Sequence, residues 1–171
     1  MATAKDVYRY HPNDGEIADV LSKRVTAALG TLNEDGSIHL TYVLFLHEDG
    51  HVYVETSSVT RKARNVAGRA SATFLVQARA SSGRTLMVAG EGRAKVVAGE
   101  EAQEINRRLR AKYLVPDALD AIERAWSKLD DVALELAPRT WRSWTGTLLH
   151  EEATAELGAG MAYDQAWLPD D

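Results

Sequence analysis

The residues with the clearest chemical purpose are Thr56-Ser57-Ser58-Val59-Thr60-Arg61-Lys62-Ala63-Arg64-Asn65, hydroxyls and then cations placed directly after the β-rich stretch Val52-Tyr53-Val54. This composition suits a phosphate. Where a strand turns into a helix, hydroxyls and free backbone N–H groups donate to phosphate oxygens, and the helix dipole adds attraction. Without an anion, Arg61 and Lys62 would sit badly, because cations at a helix N-terminus oppose the macrodipole by about 0.3–1 kcal/mol each. The plain alternative is a solvated basic turn.

Other motifs point to chemistry less well. His47-Glu48-Asp49-Gly50-His51 has the HExxH spacing of zinc peptidases, which needs both imidazoles on one face of a helix. Asp49-Gly50 is instead a turn signal between two β-rich runs, so a hairpin and no metal are expected. Gly90-Glu91-Gly92 is too short for a dinucleotide fingerprint and has no helix after it. Ser57, Ser58, Ser81 and Ser82 lack the elbow of a hydrolase nucleophile. Trp126, Trp141 and Trp144 read as core or interface. His39 and Tyr42 are the candidate proton donors, with a packed or exposed role as the plain alternative, and no catalytic acid–base pair is assigned.

The elements that must position the basic turn follow from composition and pattern. The chain has 171 residues, 45% hydrophobic and 26% charged, enough for one substantial core. It has no cysteine, which excludes disulfides, thiolate metal sites and cysteine nucleophiles. Its net charge of -5 argues against a broad nucleic-acid interface and makes the local basic cluster of Arg61, Lys62, Arg64 and Arg69 more pointed. No apolar run approaches the ~18 residues of a membrane span, and Met1 to Asp6 has no secretory stretch, so a cytoplasmic protein is expected.

Glu16 to Ser22 reads as a helix capped by Asn13 or Asp14. Val25 to Leu32, Ile38 to Leu46 and Val52 to Thr56 form a meander joined by two Asp-Gly turns. A helix from about Thr60 to Gly68 follows. Ser71 to Arg79 and Thr85 to Val97 read as strands, with Gly90 and Gly92 marking a bend or bulge. Glu100 to Tyr113 and Pro116 to Lys128 read as helices, and Val132 to Leu136 with Thr140 to Trp144 as a closing strand broken at Pro138. The expected fold is mainly β (α+β), a six-stranded antiparallel split β-barrel with short flanking helices over residues 1–147. Residues 148–171 form a tail with Met161, Tyr163, Trp167 and Leu168, for which disorder, packing on a partner subunit and covering a pocket stand as equal alternatives.

This order of elements, with Thr56, Thr60, Arg61 and Lys62 at the strand-to-helix turn, resembles the pyridoxamine 5'-phosphate oxidase-like split-barrel flavoproteins, including the flavin/deazaflavin oxidoreductases of actinobacteria. The resemblance covers about Glu16 to Thr147. It implies that Thr56, Ser57, Thr60, Arg61, Lys62 and Arg64 hold the phosphate of FMN or coenzyme F420. It also implies that Asn65 pins the helix to the barrel. The cofactor ring would lie against the backbone of Tyr42, Val43, Leu44 and Phe45, and Thr85 would reach it across a homodimer interface. The Lys62-Ala63-Arg64-Asn65 run looks like the deazaflavin branch. Thr41 and Leu46 stand where true pyridoxamine phosphate oxidases carry basic residues, so that activity is not expected. The implied function is hydride transfer between F420 or FMN and a small apolar or conjugated substrate. A non-catalytic flavin, haem or tetrapyrrole carrier of the same fold is the alternative.

Overall fold

The computed structural model describes residues 13–126 and 129–166. Helix α1 (Asp14–Ser22) opens on a capping box: the Asn13 side chain accepts from Glu16 N at 3.0 Å while Asn13 N donates to the Glu16 carboxylate at 3.4 Å. Its Val20 and Leu21 are buried. Then come β1 (Ala27–Leu32), β2 (Ile38–Val43), β3 (Leu46–Glu48), β4 (His51–Ser57), α2 (Arg61–Arg69), β5 (Ser71–Arg79) and β6 (Thr85–Val97). They are followed by α3 (Gly99–Tyr113), α4 (Pro116–Trp126), β7 (Asp131–Thr145) and α5 (Thr147–Leu157).

The strands form one antiparallel sheet in the order β2-β1-β5-β6-β7-β4-β3. There is one strand more than the sequence suggests. Ile38 to Leu46 is two strands: β2 pairs with β1 at one edge of the sheet, and β3 pairs with β4 at the other. Only Leu44 and Phe45 separate them. A link of this length reaches about 10 Å, so the sheet must curl until its edges nearly meet. The result is the split barrel, mainly β within an α+β chain, with Phe45 and Phe74 edge to face at 4.9 Å in its core. The break escaped the sequence because the apolar run Val43-Leu44-Phe45-Leu46 passes through it with no turn residue.

Strand β7 is continuous, where Pro138 suggested an interruption. The chain keeps its ladder by shifting register between Glu91 and Gly92, which sets Gly92 opposite Pro138 and leaves Arg139 without a partner in the pairing. Only glycine fits at position 92, since a Cβ there would stand 2.0 Å from the Ala137 carbonyl oxygen. Gly90 makes room for the ring of Trp141.

The HExxH residues form the β3–β4 hairpin, with Glu48 paired to His51 and both Asp49 and Gly50 at positive φ, 49° and 79°. His47 packs edge to face on Trp141 at 5.6 Å, and burial holds its imidazole below the ordinary histidine value. The tail contains α5 and two short 3-10 turns, Gly158–Gly160 and Tyr163–Ala166. Trp167, Leu168, the first twelve residues and Lys128 lie outside the described residues. Among the described residues no helix is long and apolar enough to cross a membrane.

Candidate anion and cofactor site

Helix α2 begins where β4 ends, and hydroxyls shape the turn between them. Thr60 is the N-cap; its hydroxyl donates to Ser57 O at 2.9 Å and accepts from Ala63 N at 3.4 Å. Because that single proton is used, the Thr56 hydroxyl is the donor in the 3.0 Å contact between the two threonines. Thr56 is buried. Ser57 Oγ accepts from Val59 N at 3.4 Å, and Ser58 donates to Asp130 both through its hydroxyl, to the carboxylate, and through its N–H, to the carbonyl. Arg64 folds back and donates to Val59 O at 2.6 Å. Asn65, buried, donates to Thr31 Oγ1 at 3.1 Å and Asn33 Oδ1 at 3.0 Å, fastening α2 to β1 and its hairpin.

What these bonds leave over is the N–H groups of Arg61 and Lys62, which have no acceptor among the described residues, and the two side chains themselves. Lys62 is half-buried, and burial holds its ammonium below the ordinary lysine value. No described carboxylate lies within ion-pair distance of it. A half-buried cation and two free helix amides are groups that can bind an anion. Arg61, Arg64, Asn65 and Arg69 also line a cleft of about 620 Å³ together with Glu34 and Asp35.

The residues expected to face the cofactor ring lie on the crossover from β2 to β3. Val43 and Phe45 are buried, while Tyr42 is 80% exposed and Leu44 44% exposed. Leu46 pairs with Tyr53, four residues back along β4 from Ser57, or about 13 Å by strand rise. Crossover and turn are thus separated by about the length of one extended ligand. His39 and Tyr42 occupy opposite faces of β2, so they do not converge on one proton path. Thr85 is remote from the turn within one chain: Ser57 pairs with Asp131 at the start of β7, and Leu86 with Thr145 at its end. Thr85 instead lines a cleft of about 560 Å³ with Arg79, His150 and Glu151.

Comparison with known families matches residues 14–145 to pyridoxamine 5'-phosphate oxidase. The chain belongs to that family. Among solved structures, a conserved hypothetical protein, Rv2991 from Mycobacterium tuberculosis, is 25% identical with a TM-score of 0.67, covering 81% of this chain and 88% of that one. An F420 reductase shares the fold at 19% identity and TM-score 0.55, covering 76% of this chain and 98% of that one. So does the haem storage protein HutZ from Vibrio cholerae, at 17% identity and TM-score 0.60, covering 77% of this chain and 94% of that one. No curated protein matches the chain.

Two groups beside the turn and the crossover have no motif in the sequence. Arg110 of α3 is 4% exposed in its side chain and binds Glu55 and Asp131, residues adjoining Thr56 and Asp130. Lys112 and Tyr113, at the end of α3, reach the crossover. Burial lowers Lys112 to about 8 from 10.5. The folded chain therefore binds fewer protons than the unfolded chain in that window, and stability rises as pH climbs from about 8 to about 10. Above ~10 the phenols Tyr53 and Tyr113, both raised by burial, turn the trend downward. Thermal melts across pH 7.5–10 should show the rise in the wild type and a flatter curve in Lys112→Met.

Proposed function

We propose that this family member is an oxidoreductase that seats the phosphate of F420 or FMN at the β4–α2 turn and the cofactor ring along Tyr42 to Phe45. The observation that carries this reading is Lys62, half-buried, lowered by burial and without a described carboxylate partner, beside the free N–H groups of Arg61 and Lys62. In it Ser57, Arg61 and Lys62 meet the phosphate, while Thr56, Thr60, Arg64 and Asn65 hold the turn in shape. The bound cofactor supplies hydride transfer; the chain orients the ring, keeps water from it and presents a small apolar or conjugated substrate to it. The Lys62-to-Asn65 run no longer separates the two cofactors, since Arg64 and Asn65 bind main chain and barrel.

The active form in this reading is a homodimer. Support comes from β2, whose alternation is inverted: Ile38, Leu40 and Tyr42 are 71%, 66% and 80% exposed while the polar His39 and Thr41 turn inward. With Leu32 of β1 and Leu75 of β5, they make an apolar sheet face with a shallow depression over Gly30. Such a face on a small domain is suited to a second copy.

Mass spectrometry of the ligand released from native protein, followed by turnover of reduced F420 or FMN with an enone and a quinone, tests the reading. A flavin or deazaflavin mass with acceptor-dependent oxidation is expected. A tetrapyrrole mass, or tight flavin binding with no turnover across the acceptors, would replace the enzyme with a carrier.

A further inference from the structure

Phe45 falls between the two ladders that its neighbours enter, Val43 with Ala27 and Leu46 with Tyr53. Side chains from the last turn of α3 take up its main-chain groups. The Tyr113 phenol accepts from Phe45 N at 3.2 Å and directs its proton to Phe45 O and Val25 O, at 3.0 and 3.1 Å. Lys112 Nζ donates to Phe45 O and Leu21 O, each at 3.2 Å, and stands 4.0 Å from the centre of the Phe45 ring. Two adjacent residues thus tie α1, the segment leading into β1 and the crossover together. An ammonium is retained there although its surroundings disfavour charge, which a purely apolar plug would not require.

We propose that Lys112 and Tyr113 are positioning residues that fix the Leu44–Phe45 crossover as the seat of the cofactor ring, a role that rests on the ring placement given above. A ring held by main chain and apolar contact depends on the shape of that backbone more than on any side chain it touches. The clamp supplies the shape: it holds Phe45 from below while Tyr42 and Leu44 remain on the open side. Its contacts differ from those of the phosphate turn, so ring binding and phosphate binding can be separated by experiment.

Titration of FMN and riboflavin, or of F420 and its dephosphorylated deazariboflavin core, into wild type, Tyr113→Phe, Lys112→Met and Lys112→Arg tests the clamp. Tyr113→Phe and Lys112→Met should each weaken the phosphate-free core about tenfold, keep the preference for the phosphorylated form, and shift the visible absorption band of the bound ring. Lys112→Arg, which keeps a charged donor, should recover much of the loss. Tyr113→Phe removes a single oxygen and keeps the test informative if Lys112→Met does not fold. Unchanged core affinity and an unchanged band in folded Tyr113→Phe, with normal binding by the wild type, would overturn the clamp alone. A wild type that binds none of the four ligands would overturn the cofactor reading and the clamp with it.

Discussion

Arg110→Met is expected to destabilise the fold by about 3–5 kcal/mol, the scale for removing the cation from a buried ionic group. The Arg110 guanidinium is 4% exposed in its side chain and donates from Nε to both oxygens of Glu55, at 2.9 and 3.1 Å, and from Nη2 to Glu55 and to Asp131, the latter at 2.8 Å. The Trp126 ring lies 5.0 Å from it. Methionine fills much of the volume but leaves two carboxylates, 14% and 8% exposed, facing each other without a counter-charge. Burial already raises Glu55 above the ordinary glutamate value despite the arginine. In the variant Glu55 should be raised further, so the deficit is largest near neutral pH and shrinks as falling pH protonates it. Urea unfolding at pH 7 and pH 5 reads both effects, and Glu55→Gln added to Arg110→Met should recover part of the loss. The turn should loosen as well, because Asp131 pairs with Ser57 and its neighbour Asp130 holds Ser58.

Lys62→Ala should act in the opposite sense on stability and on binding. It removes one charge-assisted contact from the proposed phosphate seat, weakening FMN or F420 by about 1.5–3 kcal/mol, or roughly 10- to 150-fold. The unliganded fold should not lose stability, because the folded chain holds this ammonium below its ordinary value and deleting it removes a desolvation cost. Paired thermal melts and fluorescence titrations distinguish the cases. A lysine that merely supported the helix would lose stability and affinity together.

Much of the fold was legible because its signals are local. Asp35-Gly36 and Asp49-Gly50 mark two hairpin turns, though the hairpins lie at opposite sheet edges and form no three-strand meander, and β5 and β6 begin and end where alternation of apolar residues does. Gly90 and Gly92 announced irregular pairing, whose cause, the Pro138 bulge and the Trp141 ring, lies on a strand much later in the chain. The division of Ile38 to Leu46 was hidden because partner strands at opposite sheet edges impose it. The basic turn was readable for its composition, and the resemblance already assigned Asn65 to the barrel, yet the bonds of Thr56, Thr60 and Arg64 within the turn appear only in the structure. Arg110, Lys112, Tyr113 and Asp130 come from positions far along the sequence and reach the site only through α3 and β7.

The most direct test of the anion seat is a cycle of two ligands and two proteins: FMN against riboflavin, or F420 against its dephosphorylated core, in wild type and Lys62→Ala. The account predicts at least a tenfold preference for the phosphorylated form in the wild type that largely disappears in the variant. An equal preference in both proteins would place the phosphate elsewhere and contradict the account.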